Sequence, residues 1–418
     1  MREMKDSGIE WVGKVPATWK IMPNKYIMTK KKVIKEVYDD ENIISLSMNG
    51  VIVRDLEAGG KMPKTFDGYQ LVYPGNLLMC LFDYDVTPRC IGLIKDYGVT
   101  SPAYSQFVMN NGNYSGYYYY YYLMVDHTKA LLHLAKNLRH SFTEEQLGAI
   151  LAPVPTIEEQ QQIADYLDTQ CSEIDATAED IQKEISLLEE YKKSVITEAV
   201  TKGLNPDAEM KDSGIAWIGE IPKDWKVDKI KYHLKRNEPK NPGNAIVLSV
   251  YRDYGVVPKD SRDDNHNVTS EDTSKYKYVK KGQLVINKMK AWQGSLAVSD
   301  YDGIVSPAYF IYDFIDEEYN HKYFHYLVRS CYKEEFKRIS GGIREGQWDL
   351  SPEGFSNTLV LLPSIEEQNE ILDYILQKEM EIDSLIADKK RQRGILAEYK
   401  NSLIYEYVTG KKEVPVHE

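Results

Sequence analysis

Residues 4–20 read MKDSGIEWVGKVPATWK, and residues 210–226 read MKDSGIAWIGEIPKDWK. Eleven of the 17 aligned positions are identical at an offset of 206. Self-similarity at this level indicates an internal repeat and not a chance match. The sequence therefore predicts two copies of one structural plan.

Three further pairs of segments continue the repeat. SPAY at 101–104 recurs at 306–309, PTIEEQ at 155–160 recurs as PSIEEQ at 363–368, and EYK at 190–192 recurs at 398–400. These offsets stay between 205 and 208, whereas the sequences between the marks differ strongly. We therefore expect a repeated frame that carries two different inserts.

Each of the two IEEQ segments is predicted to begin a long helix. Thr156 with Glu159, and Ser364 with Glu367, have capping-box spacing. Apolar residues follow at heptad spacing over residues 174–199, with Lys192 at one heptad position, and the second copy is less regular. Shared register and unequal charge favour pairing of the two helices. In the alternative, each helix packs separately on its own domain.

Composition is typical of a globular protein in a reducing cytoplasm. The chain has 418 residues, 42% hydrophobic and 28% charged, which suits two or three domains. It has no apolar run of membrane-spanning length and no secretory signal, and its four cysteines are widely separated. We therefore expect a cytoplasmic protein without disulfides or a zinc knuckle.

The net charge of −12 is distributed unevenly along the chain. Residues 144–200 carry −11 and residues 363–413 carry −3, whereas residues 1–143 carry +3 and residues 201–362 are neutral. The acidic charge thus belongs to the two predicted helices. The total charge argues against a nucleic-acid partner, but the remainder of the chain permits one.

The inserts predict mixed α and β structure. Short apolar or β-branched runs at 71–81, 284–286, 304–312 and 358–362 are bounded by Gly, Pro and Asp, as strands are. Six consecutive tyrosines at 117–122 align with a segment of helical spacing in the second copy. We expect them to form a helix that packs on a sheet, and a base-stacking platform is the alternative.

The sequence contains no recognisable catalytic motif. Walker, dinucleotide-binding, zinc-protease, nucleophile-elbow and methyltransferase patterns are absent, and the eight histidines lack ligand spacing. A binding protein without catalytic or metal-ligating residues is therefore predicted.

Two clusters in the second insert suit DNA contact. The first follows an apolar strand, where a loop is expected, and comprises Lys288, Lys290, Trp292 and Gln293. The second is glycine-rich and comprises Arg338, Arg344, Gln347 and Trp348. Basic side chains bind phosphate, and Arg and Gln make bidentate hydrogen bonds to base edges. The alternative is a solvated lysine face with a tryptophan in the core.

The repeated MKDSGI start, GQLVINKMKAW followed by GIVSPAY, and LPSIEEQ before a long helix together resemble the specificity subunit of type I restriction–modification enzymes. The resemblance covers nearly the whole chain. It implies an α+β fold with two tandem mixed α/β target-recognition domains, each followed by a long helix. The two helices would pair as an antiparallel coiled coil, which gives a pseudo-two-fold internal repeat.

The same resemblance implies a non-catalytic subunit whose domains each read one half of a gapped double-stranded DNA target. Its partners would be two methyltransferase subunits, with two motor-nuclease subunits recruited in addition. S-adenosylmethionine, ATP and magnesium would belong to those partners, and no cofactor is expected in this chain. Partner contacts are expected on the helices, at Glu158, Glu159, Gln160, Tyr191, Glu366, Glu367, Gln368 and Tyr399.

The expected boundaries are a first target-recognition domain at 1–154, a first spacer helix at 155–203, a second domain at 204–362, a second spacer helix at 363–412 and a tail at 413–418. The first domain departs from the family pattern, because CLF at 80–82 stands where the second copy has NKM at 287–289. Its DNA-contact candidates, chosen by charge alone, are Arg54, Arg89, Arg139 and His140.

Two rival functions fit parts of the sequence. The overall acidity would suit a coiled-coil protein-interaction scaffold with tandem adapter domains and no DNA role. A steep salt dependence of binding would distinguish DNA recognition from that hypothesis. A nuclease or methyltransferase in its own right is the third hypothesis, and the missing motifs argue against it.

Overall fold

The computed structural model describes residues 2–57, 63–135, 140–243, 245–252, 254–261, 272–342 and 348–415. The chain divides into two compact units. Unit 1 consists of residues 1–182 and 390–418, and unit 2 consists of residues 183–389. Each unit therefore contains one insert, one repeated opening segment and a part of each long helix.

Unit 1 is built on a four-stranded antiparallel sheet with the strand order β4-β11-β8-β9. Its strands are β1 (Met4–Asp6), β2 (Lys14–Pro16), β3 (Lys20–Pro23), β4 (Met28–Lys31), β5 (Ile44–Ser47), β6 (Gly50–Val53), β7 (Gln70–Val72), β8 (Leu77–Met79), β9 (Ile91–Leu93), β10 (Gly98–Thr100), β11 (Ser105–Met109) and β12 (Leu151–Val154). Its short helices are α1 (Asn24–Ile27), α2 (Ser115–His127) and α3 (Glu144–Ala149). Pairing of β3 with β12 joins the two ends of the insert.

Unit 2 has a sheet of the same strand order, β16-β23-β20-β21. Its strands are β13 (Met210–Asp212), β14 (Glu220–Pro222), β15 (Lys226–Lys229), β16 (Leu234–Arg236), β17 (Leu248–Tyr251), β18 (Gly255–Pro258), β19 (Lys277–Val279), β20 (Leu284–Asn287), β21 (Leu296–Val298), β22 (Gly303–Val305), β23 (Tyr309–Phe314), β24 (Ser340–Gly341), β25 (Asp349–Leu350) and β26 (Leu359–Leu362). Its short helices are α5 (His321–Cys331), α6 (Lys333–Arg338) and α7 (Pro352–Asn357). Pairing of β15 with β26 again joins the ends of the insert.

Both faces of each sheet are buried, which explains the continuous apolar runs in the sequence. In β20, Leu284 and Ile286 pack in a core that includes α5, and Val285 packs in a second core with the β17–β18 hairpin. In β8, Leu77 and Leu78 divide between two cores in the same way. Successive side chains of a strand point to opposite faces, so a strand covered on both sides is apolar throughout. The predicted strands at 284–286 and 358–362 are confirmed, whereas the runs at 71–81 and 304–312 are each divided into two strands.

The six tyrosines lie on α2, and five of them are buried. The hydroxyl of Tyr117 donates to the carbonyl of Val408 at 2.8 Å, and that of Tyr120 donates to Asp168 Oδ1 at 2.6 Å. Burial raises the pKa of Tyr118, whose hydroxyl donates to the carbonyl of Pro153 at 3.2 Å. The helix is therefore a core element, as expected, and not a stacking platform.

Two long helices follow the inserts, as the sequence predicts. They are α4 (Ile157–Lys202), of 46 residues, and α8 (Ile365–Val408), of 44 residues. At 1.5 Å per residue each is roughly 65–70 Å long. In the part of the chain that the structure describes, no helix combines the length and apolarity needed to span a bilayer.

In unit 1 the first part of α4 contacts the last part of α8. Lys400 Nζ lies 2.6 Å from both carboxylate oxygens of Asp175, and the rings of Tyr166 and Tyr407 have centroids 4.6 Å apart. Residue numbers rise along one helix as they fall along the other, so these helix segments are antiparallel.

In unit 2 the last part of α4 contacts the first part of α8. Lys192 Nζ lies 2.8 Å from Asp383 Oδ2 and 3.2 Å from Glu379 Oε1. Burial opposes the charge of Lys192, but these two carboxylates outweigh it and raise the pKa of the amine. The lysine that interrupts the predicted heptad is thus neutralised by the facing helix.

The start of each long helix is bonded to a tryptophan of the repeated opening segment. The indole N–H of Trp19 donates to Glu159 Oε2, and that of Trp225 donates to Glu367 Oε2, each at 2.8 Å. Both tryptophans are 1% exposed. Half of each predicted capping box is present, since the N–H groups of the two glutamates donate to Thr156 and Ser364 at 3.3 and 3.2 Å. The carboxylates bond to the tryptophans instead of completing the boxes.

The same two tryptophans also contact the end of a long helix. Gly203 after α4 and Gly410 after α8 have φ of +72° and +68°, the left-handed conformation that ends helices. A Cβ atom would lie 3.3 Å from Trp225 at Gly203 and 2.8 Å from Trp19 at Gly410. Each tryptophan therefore joins the start of one long helix to the end of the other within its unit.

Replacing Glu367 with Ala should destabilise unit 2, because the buried indole N–H of Trp225 would lose its acceptor. An unsatisfied buried donor costs about 1–3 kcal/mol of unfolding free energy. Urea denaturation measures the change. Glu367→Gln keeps an acceptor oxygen, and Glu366→Ala removes an exposed neighbouring carboxylate, so both should denature like the parent. Equal stability of Glu367→Ala and the parent would contradict the assigned role of this bond.

Candidate nucleic-acid interface

The first predicted cluster lies in the loop after β20, as expected from the sequence. Residues 291–293 form one short helical turn, which ends at Gly294 with φ of +88°. Lys290 is exposed, while Lys288, Trp292 and Gln293 are half-buried. The indole N–H of Trp292 donates to the carbonyl of Met289 at 3.1 Å, which fixes the ring against its own loop.

Folding brings the second cluster next to this loop. The N–H of Leu350 donates to the carbonyl of Lys288 at 2.9 Å, and Lys288 Nζ lies 2.7 Å from Asp349 Oδ2. The rings of Trp292 and Trp348 have centroids 5.4 Å apart. Two segments about 55 residues apart in the sequence therefore form one surface with cationic, amide and aromatic groups. This chemistry suits phosphate contact and base-edge reading.

The structure describes only one of the remaining members of the second cluster, Arg338. Arg344 and Gln347 lie outside the described residues, so their DNA contacts stay predictions. Arg338 makes two hydrogen bonds to the carboxylate of Glu335, at 2.6 and 2.7 Å, and that carboxylate is 5% exposed. Arg338 therefore neutralises a buried acid on its own helix, a role that its position in the sequence does not reveal.

Unit 1 has an equivalent loop at residues 80–90, between β8 and β9. The N–H of Phe142 donates to the carbonyl of Leu81 at 2.8 Å, as Leu350 does to Lys288 in unit 2. His140 Nδ1 lies 2.8 Å from Asp85 Oδ2 in this loop. Burial opposes ionisation of Asp85, but the bond with His140 outweighs it and lowers the pKa of the carboxyl group.

Arg89 also belongs to this loop, and its guanidinium is bonded within unit 1. It donates to the carbonyls of Ile91 and Met48, each at 3.1 Å, and to the hydroxyl of Tyr119 at 2.6 Å. The structure thus shows Arg89 joining the β5–β6 hairpin to α2. Charge alone could not distinguish this role from a DNA contact.

The other first-domain candidates are separate. Arg54 follows β6, and its N–H donates to the carbonyl of Ile43 at 2.7 Å. Arg139 lies outside the described residues. The structure therefore brings His140 and Arg89 to one loop and places Arg54 at the end of a hairpin.

Sequence reasoning missed the hairpins β5–β6 and β17–β18. In unit 1 the hairpin turn at Gly50 lies against Arg89, and in unit 2 the side chain of Arg252 lies 3.9 Å from the Cβ position of Gly294. Both hairpins therefore border the candidate loops. A pair of glycines at 50 and 255, at the repeat offset of 205, could have indicated the two hairpin turns. Their φ angles are +98° and +71°.

The predicted partner contacts on the helices fall into three groups. Glu158 and Glu366 are exposed in the first turn of each helix, and Tyr191 and Tyr399 are exposed further along. Glu159 and Glu367 bind the tryptophans described above. The third group, Gln160 and Gln368, is 0% exposed.

The two buried glutamines hold the inserts to the helix starts. Gln160 Oε1 accepts from the N–H of Tyr114 at 2.7 Å, and Gln368 Oε1 accepts from the N–H of Asn320 at 2.8 Å. Their amide groups donate to the carbonyls of Pro155 and Pro363, each at 3.0 Å. We therefore correct the expectation for these two residues, because a buried and fully engaged amide is not available to another protein.

Among the residues that the structure describes, one group has the composition of a metal site. His233, Asp316 and Glu318 have ligand atoms within 4.8 Å of one another. His233 Nδ1 lies 2.8 Å from Asp316 Oδ2, so a direct hydrogen bond accounts for this pair. The group lies outside both clusters predicted for DNA contact.

Comparison with known proteins shows that the chain is similar to subunits of type I restriction enzymes. No family model matches the chain. The type I restriction enzyme MjaVIII specificity subunit of Methanocaldococcus jannaschii is 26% identical over 287 residues, which is 63% of either chain. The putative type I restriction enzyme MjaX specificity subunit of that organism is 38% identical over 87 residues, 21% of this chain and 19% of the relative. The matched stretches thus span less than two thirds of either relative.

Solved structures extend the likeness to the fold. One is a chain from a structure described as "Structural basis underlying complex assembly and conformational transition of the type I R-M system". Its TM-score is 0.68 at 12% identity, and the match covers 95% of this chain and 99% of that chain. Another is the HsdS subunit from Thermoanaerobacter tengcongensis, with a TM-score of 0.50, 14% identity and coverage of 95% and 98%. The resemblance to type I specificity subunits is confirmed. At these identities the solved structures show that the specificity-subunit fold is shared.

Lys288→Ala is expected to weaken DNA binding with little effect on the melting temperature, because the ion pair of Lys288 with Asp349 is partly exposed and such pairs stabilise a fold only slightly. Losing one phosphate contact should reduce the slope of log affinity against log salt by about 1. Fluorescence anisotropy with duplex DNA measures this slope. Lys281→Ala, an exposed lysine beyond the other end of β20, is the matched control.

Alanine variants of Arg344 and Gln347 complete this test. They too should weaken binding while the protein stays folded. If all three variants bind like the parent, the assignment of DNA contacts in unit 2 is wrong.

Proposed function

We propose that this chain is the DNA sequence-specificity subunit of a type I restriction–modification complex. The insert of each unit reads one half of a gapped, bipartite target in double-stranded DNA. The main support is the pair of sheets with one strand order, each with a loop of different sequence after the same strand. A common frame with divergent loops suits two different half-sites of one target. Similarity to curated specificity subunits supports the same proposal.

The two long helices act in this proposal as an antiparallel coiled-coil spacer that sets the gap between the half-sites. The contacts of Lys400 with Asp175 in unit 1 and of Lys192 with Asp383 in unit 2 support antiparallel pairing. Opposite charges on facing helices fix both partner and register. This arrangement gives the pseudo-two-fold relation that the internal repeat predicts.

The same helices dock two methyltransferase subunits. Leu187 and Tyr191 on α4 are 63% and 55% exposed, and the repeat-equivalent Ile395 and Tyr399 on α8 are 58% and 53% exposed. Residues four apart lie on one face of a helix, so each pair forms an apolar contact site. Two equivalent sites, one in each unit, suit two copies of one partner.

The chain itself is non-catalytic in this proposal. Its partners supply S-adenosylmethionine for methylation, and motor-nuclease subunits supply ATP and magnesium when they join. The complex would act in the cytoplasm, where the reduced state of the four cysteines is stable.

Exchanging residues 20–150 for the corresponding insert of another specificity subunit should change one half-site and leave the other unchanged. The physical reason is that the insert forms the sheet and loop of unit 1 alone. Single-molecule sequencing of adenine methylation, after co-expression with the methyltransferase, reads both half-sites. The unmodified chain is the control and should give a gapped motif with one modified adenine on each strand.

Two outcomes would contradict the proposal. A swap that alters both half-sites would exclude modular reading. Failure of the unmodified chain to give any methylated motif, while a stable complex forms, would favour the protein-interaction scaffold.

Replacing Leu187 and Tyr191 together with Ala should remove one of the two methyltransferase subunits, because the apolar site on α4 is lost. Native mass spectrometry of the co-purified complex measures the stoichiometry. The paired variant at Ile395 and Tyr399 should have the same effect, and combining both variants should remove both copies. Glu189→Ala with Lys193→Ala, two other exposed residues of α4, is the control. Full occupancy in all variants would place the docking site elsewhere.

A further inference from the structure

Unit 1 contains an open groove of about 930 Å³ between its insert and the long helices. The β5–β6 turn, the loop residue Arg89 and the α2 residues Tyr119 and His127 form one side. Segments of α4 and α8 form the other side, where Ala178, Gly394 and Ala397 leave space because their side chains are small or absent. The proposed specificity function gives this groove no role.

The groove is basic although the chain is acidic overall. Five basic side chains line it, Arg89, Lys95, Lys390, Arg393 and Lys400, together with two carboxylates, Asp168 and Asp175. Burial lowers the pKa of His127 below its ordinary value, so this histidine is neutral at pH 7 and adds no charge. The groove therefore carries a net positive charge in a chain of net charge −12.

Two of the cations are available for a ligand. Lys400 is bonded to Asp175, Arg393 to Gln182 and Arg89 to three groups of unit 1, so much of the hydrogen-bonding capacity of these three side chains is used. Lys95 and Lys390 are exposed, and among the described residues neither side chain makes a hydrogen bond or an ion pair. They stand on different elements, the turn after β9 and helix α8, and line the same groove.

The repeated frame does not require these charges. Residues 389–393 of α8 read KKRQR, whereas the equivalent residues 181–185 of α4 read IQKEI. This cluster contains four of the eight basic residues between 363 and 413. Two members of this run contact the facing helix, since Lys389 forms an ion pair with Glu184 and Arg393 donates a hydrogen bond to Gln182. Among the described residues Lys390 makes no such contact, so helix pairing does not account for this lysine.

We propose that this groove binds the phosphodiester backbone of DNA beside the half-site that unit 1 reads. DNA is a better candidate ligand than an acidic peptide because the groove adjoins the predicted DNA-reading loop of unit 1. Arg89 belongs both to the groove wall and to loop 80–90, which is the equivalent of the candidate DNA loop in unit 2. The groove thus continues from the reading loop. Lys95 and Lys390 contact phosphates and carry no sequence information, as backbone contacts generally do. This inference rests on the proposed specificity function.

Replacing Lys95 and Lys390 together with Ala should lower the salt dependence of DNA binding. Each phosphate contact contributes about 0.9 to the slope of log affinity against log salt, so the slope should fall by about 2. Fluorescence anisotropy of the complex with its methyltransferase, on a mixed-sequence duplex over a salt series, measures it. Methylation sequencing of the same variant should give the parental half-sites.

Two matched variants control for total charge and for folding. Lys5→Ala with Lys20→Ala removes two exposed lysines of unit 1 that do not line the groove, and it should keep the parental slope. Lys95→Arg with Lys390→Arg keeps both charges and should also keep the slope. A folding defect in the alanine variant would appear in the half-sites and in the melting temperature.

The outcomes separate this inference from the proposed function. A parental slope in the Lys95 and Lys390 alanine variant, with normal DNA binding, would overturn the groove assignment and leave the specificity role intact. Loss of the methyltransferase at an unchanged slope would show that the groove holds an acidic protein segment, which would also overturn it. If the parental complex binds no DNA, the proposed function itself fails.

Discussion

The hydrogen bond between a buried tryptophan and the first-turn glutamate of a long helix is the constraint on which each unit depends. Trp19 and Trp225 come from the repeated opening segment, and Glu159 and Glu367 come from the two IEEQ segments. Each tryptophan also contacts the glycine after the opposite helix. The opening segment, the IEEQ segment and the glycine that ends the opposite helix therefore meet at one point in each unit. This contact accounts for the similarity of the opening and IEEQ segments between the two copies, while the inserts are free to differ.

Packing restricts the sequence of the central strands more than it restricts the sequence of the loops. Each central strand lies between two apolar cores, so a change of register or volume would be costly on both faces. The loops after β8 and β20 differ in sequence, and each is attached to its unit by a backbone hydrogen bond from Phe142 or Leu350 and by its own side-chain contacts, such as those of Arg89 and Trp292. Divergence is therefore concentrated where side chains leave the sheet. A protein that must keep its architecture and change its ligand would need this division.

Charge has two uses along the long helices. Lys192 and Lys400 occupy heptad positions that would ordinarily be apolar, and each is neutralised by carboxylates of the facing helix in its unit. A lysine at such a position reduces stability and specifies register and partner. Within the basic run at 389–393, Lys389 and Arg393 contact the facing helix, whereas Lys390 lines the groove of unit 1 and has no carboxylate partner in the described part of the chain. Helix pairing and the proposed phosphate contact thus involve neighbouring residues of one helix.

The sequence by itself determined the duplication, the long helices, the buried strands and the tyrosine helix, because periodicity and repeated motifs are local properties of a chain. It also located the loop of Lys288, which simply follows an apolar strand. Only the tertiary structure shows which polar and charged side chains are bonded within their own unit and which are exposed to a partner. Arg338 and Arg89 are bonded to groups of their own units, which the sequence does not show, and their DNA contacts stay predictions. Gln160 and Gln368 look like surface residues in the sequence but are buried. The same holds for Trp292 and Trp348, whose contact needs the chain to return over more than 50 residues. Hydrogen-bond partners distant in sequence leave no periodic signal, so side-chain availability cannot be read before the fold is known.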